Sequence, residues 1–426
     1  MSTTSPQTTP AANRTARPWR TAILAGMASY LDSGALITTG IALVLYAPSL
    51  GFDPGAIGLI SGLLTLCFAA GAIIGGRLGD RFGRRRVFSV TLVVYIVGAL
   101  LLALAAGLPM LVIGIVLVGF AIGADLPVSL ALIAEEAPEG KKGKMIIFSG
   151  LLWLAGILVP IILSIGVAPL GAPGGRIMFG QLVLVAIIVL IARRSLRESA
   201  EWTTKTDAIS TRAVAAENEI KFTDMKQLFT MPILATVVAT GLYYAIWNLG
   251  ANSFGQFGTF FLVNLAKLDV QTASVLNLAT FPLGLIAALI FMRVIDRPSR
   301  KVFFVIGTVF NIIAFVSPLV LGFTPVAFLV LLALFGLGSG FCGEAMYKVW
   351  SQELFPTLLR STAQGVTLAF ARFLAGVVAF VTPALATGNP TALFGLLAVC
   401  AVVSGVIGVF WIPRLKTAKE LEPALV

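Results

Sequence analysis

Five ionisable side chains stand inside long apolar runs of this chain: Asp32, Asp125, Glu344, Lys348 and Arg372. A lone ion near the centre of a bilayer costs on the order of 3 kcal/mol or more, so an ionisable residue there is a functional candidate by default. Asp32 and Arg372 fall near the midpoints of their runs, and Asp125 and Glu344 sit a few residues to one side. Burial favours the protonated form of a carboxyl and a nearby cation the ionised form. A carboxylate that meets a cation in only one conformation therefore loads and releases a proton with each cycle. Asp32 is the expected proton carrier and Asp125 the second candidate. The competing reading is that Asp32 only hydrogen-bonds helix ends or substrate hydroxyls. Lys348 follows Glu344 by one helical turn, so the two share a face and are placed to pair.

A second group of residues suits a polyhydroxylated ligand, which needs donors and acceptors at its rim and an aromatic face beneath it. Tyr244, Trp247, Asn248, Asn252 and Gln256 lie in one run, with Asn248 and Asn252 four positions apart on one face. Trp153, Asn277, Glu344 and Lys348 complete the expected substrate-binding set. An interfacial aromatic belt is the competing reading of the rings.

The elements that carry these residues are hydrocarbon-spanning helices. Of 426 residues, 58% are hydrophobic and 12% charged, about half the charged fraction of a water-soluble protein. Runs of roughly twenty apolar residues, each long enough for about 30 Å of hydrocarbon, recur from end to end. Twelve spans are expected, at 20–46, 56–76, 87–106, 109–135, 145–167, 175–192, 230–262, 272–292, 302–322, 326–350, 363–386 and 391–412. The run 230–262 is overlong and rich in Gly and Asn, which predicts a broken helix or one that extends beyond the membrane. The order is a tail over 1–18, disordered because it is rich in Ser, Thr and Pro, a six-helix bundle over 19–192 and a linker over 193–229. A second six-helix bundle over 230–412 and a tail over 413–426 follow. The fold class is therefore an all-α polytopic membrane protein.

Of the 30 Lys and Arg, 26 fall on the side of the N-terminus and two, Arg176 and Lys267, on the other. Positive residues stay inside, so both termini and the linker are expected in the cytoplasm of a cell whose inner membrane holds the chain. The net charge of +11 sits in short loops that meet headgroups, which argues against a nucleic-acid partner. Cys67, Cys342 and Cys400 lie in apolar runs and form no disulfide framework, and with no histidine any proton must ride on carboxylates. No cofactor or metal is expected, and the chain is expected to act as a monomer.

The loops carry the most specific signal. Gly76-Arg77-Leu78-Gly79-Asp80-Arg81-Phe82-Gly83-Arg84-Arg85-Arg86 is a dense cationic turn between two apolar runs. A degenerate copy, Met292-Arg293-Val294-Ile295-Asp296-Arg297-Pro298-Ser299-Arg300-Lys301, puts Asp296 216 positions after Asp80. Glu135 before Pro138 and Glu353 before Pro356, each with cations downstream, are 218 apart. This G-x-L-x-D-R-x-G-R-R pattern resembles the loop between helices 2 and 3 of the major facilitator superfamily. The resemblance implies that superfamily's fold, two six-helix bundles with a substrate site between them near the bilayer midplane. It also implies that Asp80, Arg81, Arg84, Glu135, Asp296, Glu353 and Arg360 act as conformational latches. The competing reading is that the cations only set topology.

Within the superfamily the chain is similar to sugar porters, including inositol and xylose proton symporters. The residues that carry this are Ser29-Tyr30-Leu31-Asp32, Ile133-Ala134-Glu135-Glu136-Ala137-Pro138 with Gly143-Lys144, Glu198-Ser199 with Trp202, Gly250-Ala251-Asn252, and Glu353-Leu354-Phe355-Pro356 with Leu359-Arg360. The pocket departs from that pattern. Ile115 aligns with the helix 4 arginine that partners the helix 1 aspartate, and the resemblance implies Arg372 of helix 11 as its substitute in proton coupling, because helices 1 and 11 come close in that fold. Ile246 and Trp247 align with paired glutamines and Lys348 with a tryptophan, and Pro413-Arg414-Leu415-Lys416 replaces the tail motif. The chain reads as a divergent branch.

The expected function is secondary active import of a small polar metabolite, a sugar or a polyol such as inositol, with protons, by alternating access. An organic-acid symporter, with Arg372 or Lys348 on a carboxylate, and a proton-driven drug or metabolite exporter are the alternatives. A membrane enzyme would need a catalytic constellation, and this chain has no His, no loop Cys and no metal-ligand spacing. A sensor would add a soluble signalling domain, and none is evident.

Overall fold

The computed structural model describes residues 18–138, 142–196, 231, 233–295, 297–355, 360–417 and 420. Among them are twelve helical spans long and apolar enough to cross a membrane. The first half contains α1 (Pro18–Leu50), α2 (Pro54–Phe82), α3 (Arg84–Ala103), α4 (Leu108–Glu136), α5 (Lys142–Val167) and α6 (Ala172–Arg193). The second contains α7 (Ile233–Asn264), α8 (Val270–Val294), α9 (Arg300–Leu321), α10 (Pro325–Cys342), α11 (Glu344–Leu354), α12 (Arg360–Gly388) and α13 (Pro390–Val406), with α10 and α11 together making one span.

Helix starts follow local chemistry. At α2 the Asp53 carboxylate accepts the Ala56 N–H at 2.7 Å, and Pro54 opens the helix where no N–H is needed. Asp269 caps α8 through Thr272 N, Thr324 caps α10 through Ala327 N, and Asn389 caps α13 through Ala392 N. All four caps lie at the end of the bundle opposite the one where α1, α3, α7 and α9 begin. The latter carries Arg84, Arg193, Arg300 and Arg414 and is called the basic end below.

The two halves repeat the same packing. Helix α1 packs on α5 and α6, as α7 packs on α12 and α13; α2 packs on α4 as α8 does on α10; α3 packs on α4 and α6 as α9 does on α10 and α13. Across the halves α1 meets α7, α2 meets α12 and α5 meets α8. Among the described residues two hydrogen bonds cross between the halves, and both lie toward the end opposite the basic one. Gln256 Nε2 donates to the Ser61 carbonyl at 3.0 Å, and the hydroxyls of Ser164 and Ser274 are 2.7 Å apart. A cluster of phenylalanines fills the same end of the second half, with Phe254 packed on Phe261, Phe315, Phe335 and Phe394.

Of the two expectations for the overlong run, a break or an extension beyond the membrane, the structure excludes the break. The overlong run near 230–262 is a single unbroken helix, α7, of 32 residues. The break falls in the tenth span, at Gly343 between α10 and α11. A β-carbon at Gly343 would stand 2.4 Å from the Ser339 carbonyl oxygen and 2.6 Å from the Trp247 ring, so α7 can approach the break only because position 343 has no side chain. The Tyr243 hydroxyl donates to the Cys342 carbonyl, which satisfies a backbone acceptor at the break.

Candidate functional site

Asp32 is buried at the middle of α1. Trp153 of α5 donates its indole N–H to Asp32 Oδ2 at 3.2 Å, and the neighbouring Ser33 hydroxyl donates to the Trp153 carbonyl at 2.6 Å. These two bonds pin the ring and the carboxylate to each other. Trp153, expected against substrate, is thus hydrogen-bonded to Asp32 and remains partly exposed. Ile115, at the position of the sugar-porter arginine, is fully buried in the apolar core. The cation that Asp32 feels is Arg372 of α12, from the other half. Arg372 also lies within electrostatic reach of Glu344 and Tyr244. Among the described residues it makes no direct ion pair, and its guanidinium sits over the Phe68 ring of α2, 5.0 Å from the centroid.

The second half supplies the facing wall. Glu344 is the first residue of α11, where a carboxylate is favoured by the helix N-terminus. Its Oε1 pairs with Lys348 Nζ at 2.7 Å, as the one-turn spacing predicts. The two side chains keep 42% and 66% of their surface exposed. Glu344 also faces Tyr244 and Arg372, so this exposure is toward the space between the halves rather than toward lipid. Tyr244 stacks on Tyr347 at 4.3 Å and on Trp247 at 6.1 Å, forming an aromatic ladder from α7 to α11. Asn248 and Asn252 are buried on α7, and the Oδ1 atoms of both, like Trp247 Nε1, have no protein hydrogen-bond partner. Such atoms fit a ligand rich in hydroxyls, since a buried polar atom without a partner is costly.

Three expected site residues stand elsewhere. Gln256 bonds across to Ser61, and with Asn277 it lines a cavity of about 40 Å³ toward the end opposite the basic one. That is room for water, well below the several hundred Å³ of a metabolite pocket. Asp125 does not join Asp32 and Arg372. It is sealed inside the first half against Arg193, whose Nη1 reaches Oδ1 at 2.8 Å and Oδ2 at 2.9 Å. Thr91 donates to the same carboxylate at 3.3 Å. Arg193 further donates to the Leu24 and Ala25 carbonyls of α1 and to the Ser129 hydroxyl, and it stacks on Phe88. The near-equal depth of Asp125 and Glu344 in the two halves therefore puts one carboxylate in a buried ion pair inside the first half and the other beside the interface.

Sequence reasoning missed Arg193, Phe68 and Arg300. Arg193 reads as the first linker cation because it follows the last apolar residue of its run, and Phe68 is one of 29 phenylalanines. Arg300 belongs to the second loop motif, and it forms the ion pair of Glu353, Nη1 to Oε1 at 2.5 Å and Nη2 to Oε2 at 2.9 Å. Among the other expected latches, Arg84 is buried at the start of α3. The side chains of Asp80, Arg81, Glu135 and Arg360, and the whole of Asp296, lie outside the described residues.

Comparison with known proteins gives a consistent assignment. The profile of the Major Facilitator Superfamily matches residues 22–380. The minor myo-inositol transporter IolF of Bacillus subtilis (strain 168) is 32% identical over 414 residues, covering 94% of this chain and 92% of that protein. Among solved structures, a D-xylose-proton symporter superposes with a TM-score of 0.75 at 18% identity, over 94% of this chain and 98% of that one. The inward open conformation of the xylose transporter XylE from E. coli superposes with a TM-score of 0.73 at 17% identity, over 95% and 98%.

Proposed function

The chain belongs to the Major Facilitator Superfamily, and from that premise we propose that it carries a small polyhydroxylated metabolite, a sugar or a cyclic polyol of the inositol class, inward across the cell membrane together with protons. It is a multi-pass membrane transporter and not an enzyme. The observation that carries the proposal is that Asp32 of one half lies within electrostatic reach of Arg372 of the other, while α7 carries the unpartnered polar atoms of Trp247, Asn248 and Asn252. The wall offers amide oxygens and an indole N–H to hydroxyls and an aromatic face to a ring. The resemblance to a myo-inositol transporter supports the polyol class. The fully positioned Asp32, with a donor on Oδ2 and a cation within reach but not in contact, supports a proton that is bound and released as the halves rock.

The 26 cations on the N-terminal side support a cytoplasmic location for the basic end, the linker and both termini. On that orientation the halves are joined on the outer side by the Gln256–Ser61 and Ser164–Ser274 bonds, and Glu344 and Lys348 face the cytoplasmic side of the interface. Expected latches at the basic end remain part of the proposal, with Glu353 acting on Arg300 and Arg84 anchoring the start of α3.

Lys348, two-thirds exposed to the interface, favours a second reading in which the substrate carries a carboxylate. Thermal-shift measurements on the purified protein with myo-inositol, xylose and glucuronate separate the two: stabilisation by glucuronate alone overturns the polyol class. Proteoliposome uptake of the stabilising compound then tests coupling. Asp32→Asn abolishes uphill accumulation and leaves exchange measurable; undiminished accumulation removes Asp32 from the role.

A further inference from the structure

Arg372 belongs to the second half, yet its guanidinium rests on a side chain of the first. Its central carbon lies 5.0 Å from the centroid of the Phe68 ring. Its charge is felt by Asp32 of α1, Tyr244 of α7 and Glu344 of α11, and among the described residues neither carboxylate comes within ion-pair distance of it. Glu344 is already paired with Lys348. Asp32 has Trp153 of α5 on Oδ2, with the Tyr95 hydroxyl of α3 within electrostatic reach. A half-buried guanidinium without a carboxylate contact gains from another source of negative potential, and the face of an aromatic ring supplies it.

The ring is on a stiff mount. A β-carbon at Gly123 of α4 would stand 2.1 Å from the Phe68 carbonyl oxygen, so α2 and α4 are locked backbone to backbone at this point. The same helix, α2, forms the broadest contact with α12 across the halves. Phe68 therefore moves with Asp32 and the first half, while Arg372 moves with the second.

We propose that Phe68 is a positioning residue for Arg372: its ring holds the guanidinium within reach of Asp32 but out of direct contact with it, which leaves the Asp32 carboxyl able to take up and give off a proton. The inference rests on the proton-coupled reading of Asp32. Without the ring the guanidinium is released toward Asp32, the ionised carboxylate gains a direct partner, and proton loading needs a lower pH.

Trp153, hydrogen-bonded to Asp32, provides a readout that needs no substrate. The difference in fluorescence between the purified protein and its Trp153→Phe variant is titrated against pH. Asp32→Asn is expected to abolish the titration. Phe68→Leu is expected to lower its midpoint by roughly half to one pH unit, and Phe68→Tyr to leave it in place. Pentafluorophenylalanine at position 68 keeps the shape of the ring and cancels its negative face, so it must shift the midpoint as leucine does even if Phe68→Leu folds poorly. An unmoved midpoint in the fluorinated protein overturns the inference, as does a titration that survives Asp32→Asn. Proteoliposome uptake of myo-inositol with and without a proton gradient separates the layers. A gradient-driven wild type with an unmoved midpoint sinks only the role of Phe68, whereas a wild type that imports myo-inositol but ignores the gradient sinks the coupled reading and this inference together.

Discussion

Asp125 and Arg193, 68 positions apart, form a buried ion pair, with 5% and 2% of their side-chain surfaces exposed. Arg193 is the last residue of α6, and through it α6 is tied to α4, to two carbonyls of α1 and to the Phe88 ring of α3. One guanidinium thus holds four helices of the first half together near the basic end.

Removing one partner leaves a buried charge uncompensated. Arg193→Met and Asp125→Leu are each expected to lower stability by about 3–5 kcal/mol, and the double substitution by much less. Thermal unfolding of the purified single and double variants checks this; additive losses would mean that the two charges do not act as a pair.

The Ser164 and Ser274 hydroxyls lie 2.7 Å apart across the halves. Paired cysteines at these positions, Ser164→Cys with Ser274→Cys, are expected to oxidise readily and to halt transport until a reductant is added. Vesicle uptake before and after reduction is the measurement, and full activity in the cross-linked protein would mean that this end never needs to open. The three native cysteines are unpaired, and Cys342 and Cys400 are buried, so they interfere little.

Asn248→Ala removes an amide whose Oδ1 has no protein partner. If substrate hydroxyls fill that role, affinity falls roughly tenfold, the value of about 1.4 kcal/mol, while thermal stability without substrate holds or rises. Asn252→Ala tests the same wall one turn along, and unchanged affinity in both variants would move the ligand elsewhere.

Asp269 caps α8 outside the membrane, and its bonds from the Thr272 hydroxyl and backbone N–H hold its carboxyl below the usual range. A depressed carboxyl stabilises the folded state above its ordinary pKa and loses that contribution as pH falls through the lowered value. Asp269→Ala is expected to cost about 0.5–2 kcal/mol near neutral pH, and the gap to wild type should close in acid. Asp269→Asn should keep most of the cap and remove its pH dependence. Melting temperatures from pH 7 down to 3 give the answer.

Much of the fold was legible because a bilayer restricts the choices. Hydrocarbon forces each long apolar run into a helix, so all twelve runs appear as spans with ends shifted by a few residues. The pairing of Glu344 with Lys348 was legible for a similar local reason, since one turn of helix puts both on one face. The break in the tenth span was not. Glycine and asparagine are common in α7, yet that helix stays whole; the local pattern does not say which glycine a neighbouring helix will press upon. Gly343 breaks where Trp247 and Tyr243 arrive from α7.

The fate of the buried charges divides along the same line. Residue types and spacing alone establish that Asp32, Asp125, Glu344 and Arg372 lie within the apolar runs and need compensation, because an uncompensated ion at that depth in hydrocarbon is costly. Which partner compensates each one depends on which helices touch, and that is a property of the assembled bundle. Packing of α6 against α1 and α4 brings Arg193 to Asp125 and shuts that pair away. The meeting of α2 with α12 lays Arg372 on Phe68 and leaves Asp32 within reach of its charge but outside its grasp.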